Sequence, residues 1–161
     1  MLKIRPATAQ DAGLVCDYIR ELAEYERLAH EAVATEADLH AALFCDRPKV
    51  FCDLAEWDGQ PAGFALWFYT FSTFRGRHGI YLEDLYVRPA LRGRRIGRAL
   101  LEGLARRCAA GDLARLEWAV LDWNAPSIAF YEGLGAVPMN DWTVYRLSGD
   151  DLRTLAKRED G

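Results

Sequence analysis

Between Arg88 and Arg98 the chain reads Arg-Pro-Ala-Leu-Arg-Gly-Arg-Arg-Ile-Gly-Arg, five arginines and no acid in eleven residues. An apolar run ends just before it at Val87 and a helical pattern begins at Ile96, so the segment is a glycine-containing turn that leads into a helix. At such a turn the unpaired backbone N–H groups and the positive end of the helix dipole attract an anion. A phosphate-bearing ligand suits this combination. The segment lacks the Gly-x4-Gly-Lys-Ser/Thr of a Walker loop and the three spaced glycines of a dinucleotide fingerprint, which disfavours nucleoside triphosphates and NAD. Just upstream, Glu83-Asp84 sets two carboxylates in mid-strand. Alternation turns one of them toward the functional face as a candidate general base; the alternative reading is a strand acid that faces solvent or pairs with an arginine. Tyr131 shares a short helical face with Ile128, and by residue type alone it reads as core. From Glu21 to Asp38 there are six acids and one arginine, a pattern that is ordinarily a solvated face but also suits a cationic ligand.

The elements that must position these groups follow from periodicity. Leu2–Arg5 alternates as a strand. Leu14, Val15, Tyr18, Ile19, Leu22 and Tyr25 recur as the stripe of an amphipathic helix behind a Thr8/Asp11 cap, and Thr35 to Asp38 caps a shorter one. Residues 50–57 and 62–70 flank Asp58-Gly59 as a β-hairpin. Residues 80–87 form the next strand, Ile96 to Ala110 a helix stopped by Gly111, and 116–121 a buried strand. Asn124-Ala125-Pro126-Ser127 opens a helix ending at Gly135, residues 142–147 form a last strand, and 150–157 a final helix. The expectation is an α/β protein with a mixed sheet flanked by helices, in one domain spanning residues 1–161.

Composition agrees with that picture. The 161 residues are 51% hydrophobic and 27% charged, with formal net charge −4. The arginine segment contributes five positive charges, so the other 150 residues sum to −9: the chain is polarised, and that surplus of acid argues against nucleic acid as its partner. The N-terminus has no signal-peptide core, and the most apolar run, residues 62–71, is about half of a membrane span. A soluble cytoplasmic protein with no membrane partner is expected. Four cysteines without a CxxC pair indicate buried free thiols rather than a metal site or disulfides.

Arg92-x-x-Arg95-x-Gly97 resembles the Gln/Arg-x-x-Gly-x-Gly/Ala motif of the GNAT N-acetyltransferases, whose loop binds the pyrophosphate of acetyl-CoA. Glu21 to Glu26, Tyr81 to Val87, Leu121 to Asn124 and Phe130-Tyr131-x-x-Leu134-Gly135-Ala136 resemble, in the same order, the diamine (spermidine/spermine) and thialysine acetyltransferases of that superfamily. The resemblance implies a mostly antiparallel GNAT sheet, acetyl-CoA as co-substrate, no metal, a homodimer, and direct acetyl transfer to the primary amine of a small cationic substrate. It implies further that Gly93, Arg94, Arg95, Ile96, Gly97 and Arg98 hold the pyrophosphate, that Leu85, Tyr86 and Val87 hold the pantetheine arm, and that Asn124 and Ser127 also hold the cofactor. Glu83 becomes the base, Tyr131 the acid that protonates the leaving thiolate, and Tyr25, Glu26 and Glu83 the groups that bind the amine. Arg95 departs from the motif, standing at its first glycine; its N–H can still donate if the position does not require φ > 0. Ser72-Thr73 stands where polyamine enzymes carry an additional Asp, which favours short diamines or lysine-like amines over spermidine and spermine. Acetylation of a protein or peptide and a non-catalytic CoA-binding module are the alternatives, and salt-sensitive nucleic-acid binding through the arginines is a further one.

Overall fold

The computed structural model describes residues 1–157, and the single-domain expectation reaches beyond them to 158–161. The chain forms two compact units, residues 1–121 and residue 122 onward.

The first unit holds a five-stranded sheet in the order β1 (Leu2–Pro6), β2 (Phe51–Trp57), β3 (Gln60–Ser72), β4 (Arg77–Val87), β5 (Leu116–Glu117). All pairs are antiparallel except β4 with β5, which are parallel. The β2–β3 turn is the one Asp58-Gly59 favours: both residues have positive φ, +50° and +78°, as a two-residue primed turn requires. Helix α1 (Ala12–Tyr25) enters through a cap in which Thr8 donates its N–H and hydroxyl to Asp11 Oδ2 at 2.7 and 2.8 Å. Helix α2 (Glu36–Leu43) repeats the device with Thr35 and Asp38.

Alternation puts a helix on each face of the sheet. Cys52, Leu54, Phe64, Leu66 and Tyr86 turn toward α1, where they close a core with Val15, Tyr18 and Leu43; Tyr18 stacks on Phe64 with ring centroids 5.2 Å apart. Asp53, between Cys52 and Leu54, turns to the other face and meets α3 (Ile96–Ala110), which buries Ile96, Leu100, Leu101 and Leu104. This carboxylate is only 6% exposed and accepts hydrogen bonds from Trp67 Nε1 at 3.2 Å and from Arg107 at 2.8 Å, so a buried charge is matched in full. With both faces covered, β3 is buried continuously from Ala62 to Trp67, which explains its lack of a polar alternation.

The second unit holds α4 (Ala125–Glu132) and α5 (Gly149–Ala156). Two expected strands differ. The strand at 116–121 is limited to Leu116–Glu117, and residues 142–147 form no strand. Strand preference records how well side chains fit a paired, half-covered surface, and it creates no ladder by itself. Trp142, Val144 and Tyr145 are 75%, 91% and 93% exposed, so that fit is not realised here. The thiols also diverge from expectation. All four cysteines are free, but only Cys16 and Cys52 are buried; Cys45 is exposed at the end of α2, where no core covers it, and Cys108 is half-buried. No helix among the described residues is long and apolar enough to cross a membrane.

Candidate active site

The first unit brings three carboxylates together at the middle of β4. Leu66 pairs with Asp84 and Trp67 with Leu82, which leaves Glu83 as the extra residue of a β-bulge. Opposed residues share a face, so Asp84 follows Leu66 to the α1 side while Leu82 follows Trp67 to the α3 side. Glu83 itself is exposed. Asp84 is half-buried, and burial, with the charges of Glu83 and then Glu26 added, pushes its carboxyl up to about 7. Glu26, one residue past the end of α1, is raised by burial as well. With its carboxyl at about 7, Asp84 holds a proton near neutrality and exchanges it readily. Sequence periodicity gave Glu83 and Asp84 equal standing; the bulge that separates them is a property of the β3–β4 register.

Past this cluster β4 runs along an open edge. Its pairing with β5 involves only Ile80 and Tyr81, so within this unit no strand pairs with that edge from Glu83 to Val87. Main-chain groups of Leu85 and Val87 face this edge and are available to an extended ligand arm, while those of Tyr86 face β3, in step with the Arg88 N–H that bonds the Ala62 carbonyl; the Val87 carbonyl also accepts Arg92 Nε at 2.9 Å.

The chain then turns through Pro89–Leu91 into α3. Among the described residues no protein acceptor is found for the N–H groups of Ile96, Gly97 and Arg98, the first turn of that helix. A Cβ at Gly93 would meet nothing within 4 Å, and one at Gly97 only Val87 Cγ2 at 3.7 Å, so a ligand can approach the backbone closely. This donor set fits a pyrophosphate. Arg95 is the N-cap, with φ +62° and ψ +15°: the position does require the left-handed conformation, and arginine is held in a region glycine enters without strain. Four of the five arginines are less free than their sequence implies. Arg88 pairs with Glu21 at 2.9 Å and Arg98 with Glu102 at 2.8 Å. Arg94 lies over the Trp57 ring at 5.1 Å, and Arg92 over Tyr25 and Tyr86 at 4.9 and 5.6 Å. Asp84 and Arg92 are visible in the sequence, as one of two adjacent carboxylates and as the first residue of the motif, but their contacts with Glu26 and with Tyr25 and Tyr86 are not.

In the second unit Asn124 is buried and caps α4, its Oδ1 accepting the Ser127 N–H at 3.3 Å, with Pro126 in the first turn. The two expected cofactor residues thus stabilise their own helix start. Tyr131 is half-buried in the last turn of α4, beside the Phe130 ring.

The profile of the Acetyltransferase (GNAT) family matches residues 17–136. The thialysine N-epsilon-acetyltransferase of Bos taurus is 37% identical over 164 residues, covering 95% of this chain and 96% of that protein. The L-ornithine N5-acetyltransferase of Arabidopsis thaliana is 30% identical, covering 96% and 88%. Among solved structures, an integron cassette protein from the mobile metagenome of V. cholerae superposes with a TM-score of 0.81 at 27% identity over 98% of both chains.

Proposed function

The chain belongs to the GNAT acetyltransferase family and is an N-acetyltransferase; from that premise we propose that its acceptor is the primary amine of a small cationic molecule, a lysine-like amine or short diamine. The observation that carries this reading is the gathering of Glu26, Glu83 and Asp84 at the β4 bulge, one strand-length before the anion-binding turn. The relatives that act on thialysine and ornithine support the same class of acceptor.

The chemistry sets two demands. An alkylamine with a pKa near 10.4 is neutral in about one molecule in 2500 at pH 7, which costs about 4.6 kcal/mol. The site must attract the cation and then take its proton. Tyr25 and Glu26 at the end of α1, with Glu83, bind the ammonium group. Glu83 and Asp84 act as one coupled acceptor for the proton, directly or through water, and Asp84 brings the affinity nearer to neutrality. Acetyl-CoA supplies an acetyl thioester, already activated toward an amine nucleophile. Gly93, Arg94, Arg95, Ile96, Gly97 and Arg98 hold its phosphates through main-chain N–H groups and charge, and Leu85, Tyr86 and Val87 hold its pantetheine arm. Asn124 and Ser127 hold the cofactor as well. Tyr131 is the acid, its phenol delivering a proton to the departing thiolate. By resemblance the enzyme works in the cytoplasm as a homodimer, in one functional domain and without metal, membrane or nucleic acid.

A steady-state screen with acetyl-CoA against thialysine, lysine, ornithine, putrescine, spermidine and spermine, following thiol release, tests the reading. Turnover is expected on at least one small amine, and Tyr131→Phe is expected to lower kcat more than it raises KM. Turnover confined to peptides overturns the small-amine acceptor; an unchanged Tyr131 variant removes its role as acid.

A further inference from the structure

Helix α1 presents Tyr18, Glu21 and Tyr25 along one face, at i, i+3 and i+7. Two arginines four residues apart, at the exit of β4, hold that face. Arg88 lies over the Tyr18 ring at 4.9 Å, and its guanidinium donates to the two Glu21 carboxylate oxygens at 2.9 and 3.3 Å. Arg92 lies over Tyr25 at 4.9 Å and over Tyr86 at 5.6 Å, and its Nε bonds the Val87 carbonyl at 2.9 Å. The two contacts differ in what they secure. Arg88 grips the middle of the helix, where Tyr18 is buried in the core. Arg92 grips the last residue of α1, where Tyr25 is 36% exposed, one turn beyond Leu22, which packs against the core. Glu26 follows directly, and its charge reaches Asp84. A side chain from the turn before α3 thus ties down the last residue of α1, beyond the point that core packing reaches.

We propose that Arg92 is a positioning residue for the amine: it fixes Tyr25, and through it Glu26, against the end of β4, so that acceptor affinity depends on a guanidinium that touches neither the amine nor the cofactor phosphates. The inference rests on the reading that the turn holds acetyl-CoA and that Tyr25 and Glu26 receive the amine. It separates Arg92 from the neighbouring arginines, although all belong to one basic segment. Its charge is used through the faces of two rings, which a lysine ammonium serves less well than a planar guanidinium.

The test compares the wild-type chain with Arg92→Gln, Tyr25→Leu and the double variant. Calorimetry gives the Kd for CoA, and steady-state kinetics at saturating acetyl-CoA gives KM and kcat for the amine turned over best in the screen above. Arg92→Gln is expected to raise the amine KM about three- to tenfold, the size of a cation–π contact at a partly exposed ring, and to leave the CoA Kd within about twofold. The double variant is expected to be no worse than Tyr25→Leu alone, because the two residues act as one unit. Arg92→Lys is expected to shift the same KM in the same direction, and it decides the matter if the glutamine variant fails to fold. An unchanged amine KM, a CoA Kd that weakens as much as the amine KM, or additive effects of the two single changes overturns the proposal. A wild-type chain that binds no CoA overturns the reading of the turn itself, and that result is visible before any variant is measured.

Discussion

At the scale of single residues, two side chains carry measurable consequences. Asp84 is raised to about 7 by burial beside Glu83 and Glu26. If it accepts the amine's proton, activity climbs with pH through about 7 as the carboxyl ionises. Asp84→Asn is then expected to lower kcat by about 10²-fold or more and to abolish that limb of the pH profile, with Glu83→Gln the milder change. Stability carries the opposite sign. The folded chain keeps this proton up to about pH 7, while an unfolded aspartate releases it near 4, so wild-type stability falls as pH rises between those values. Denaturant melts at pH 5 and pH 8 are expected to differ less for Asp84→Asn than for wild type. Arg95 is the second case. Its left-handed backbone costs about 1 kcal/mol or more that glycine does not pay, so Arg95→Gly is expected to stabilise the fold by about 0.5–1 kcal/mol in urea melts, net of glycine's larger chain entropy.

At the scale of elements, the sheet is fixed by a few tight approaches. Gly63 stands opposite Val87, and a side chain there would press into the Tyr86 carbonyl oxygen, which belongs to the rigid β4 backbone. Gly63→Ala is expected to cost about 2–3 kcal/mol by equilibrium unfolding, because backbone cannot swing aside as a flexible side chain does. The consequence reaches the site, since Val87 marks the end of the open β4 edge. Local signals made most elements legible: the span of α3 from Ile96 to Ala110, the Asp58-Gly59 turn, and the caps at Thr8/Asp11, Thr35/Asp38 and Asn124 are written in adjacent residues. Residues 142–147 alternate as a strand does and yet form none, because a ladder needs a partner and alternation supplies only one side of it.

At the scale of the molecule, charge is distributed in use rather than in sum. Five arginines within eleven residues face a remainder of −9, and the structure spends Arg88 and Arg98 on Glu21 and Glu102 and stacks Arg92 and Arg94 on aromatic rings. The long β3–β4 hairpin reaches past β2 and exposes Tyr69, Phe71 and Phe74, the last at 99%. Apolar surface of that kind favours association, and light scattering of the purified chain at micromolar concentration is expected to give a mass near twice that of one chain; a single-chain mass would remove the homodimer.

The sequence by itself determined the order of most elements, the glycine-bearing turn at the start of α3, the family, and the acidic and basic segments, because each is carried by residues near one another in the chain. Only the tertiary structure decided which carboxylate faces α1, since the β4 bulge depends on register with β3 fifteen or more residues away. It also decided that the Arg95 position demands positive φ, and that Arg92 serves α1 rather than the solvent. Those outcomes arise from contacts between distant segments, and spacing along a chain does not encode them.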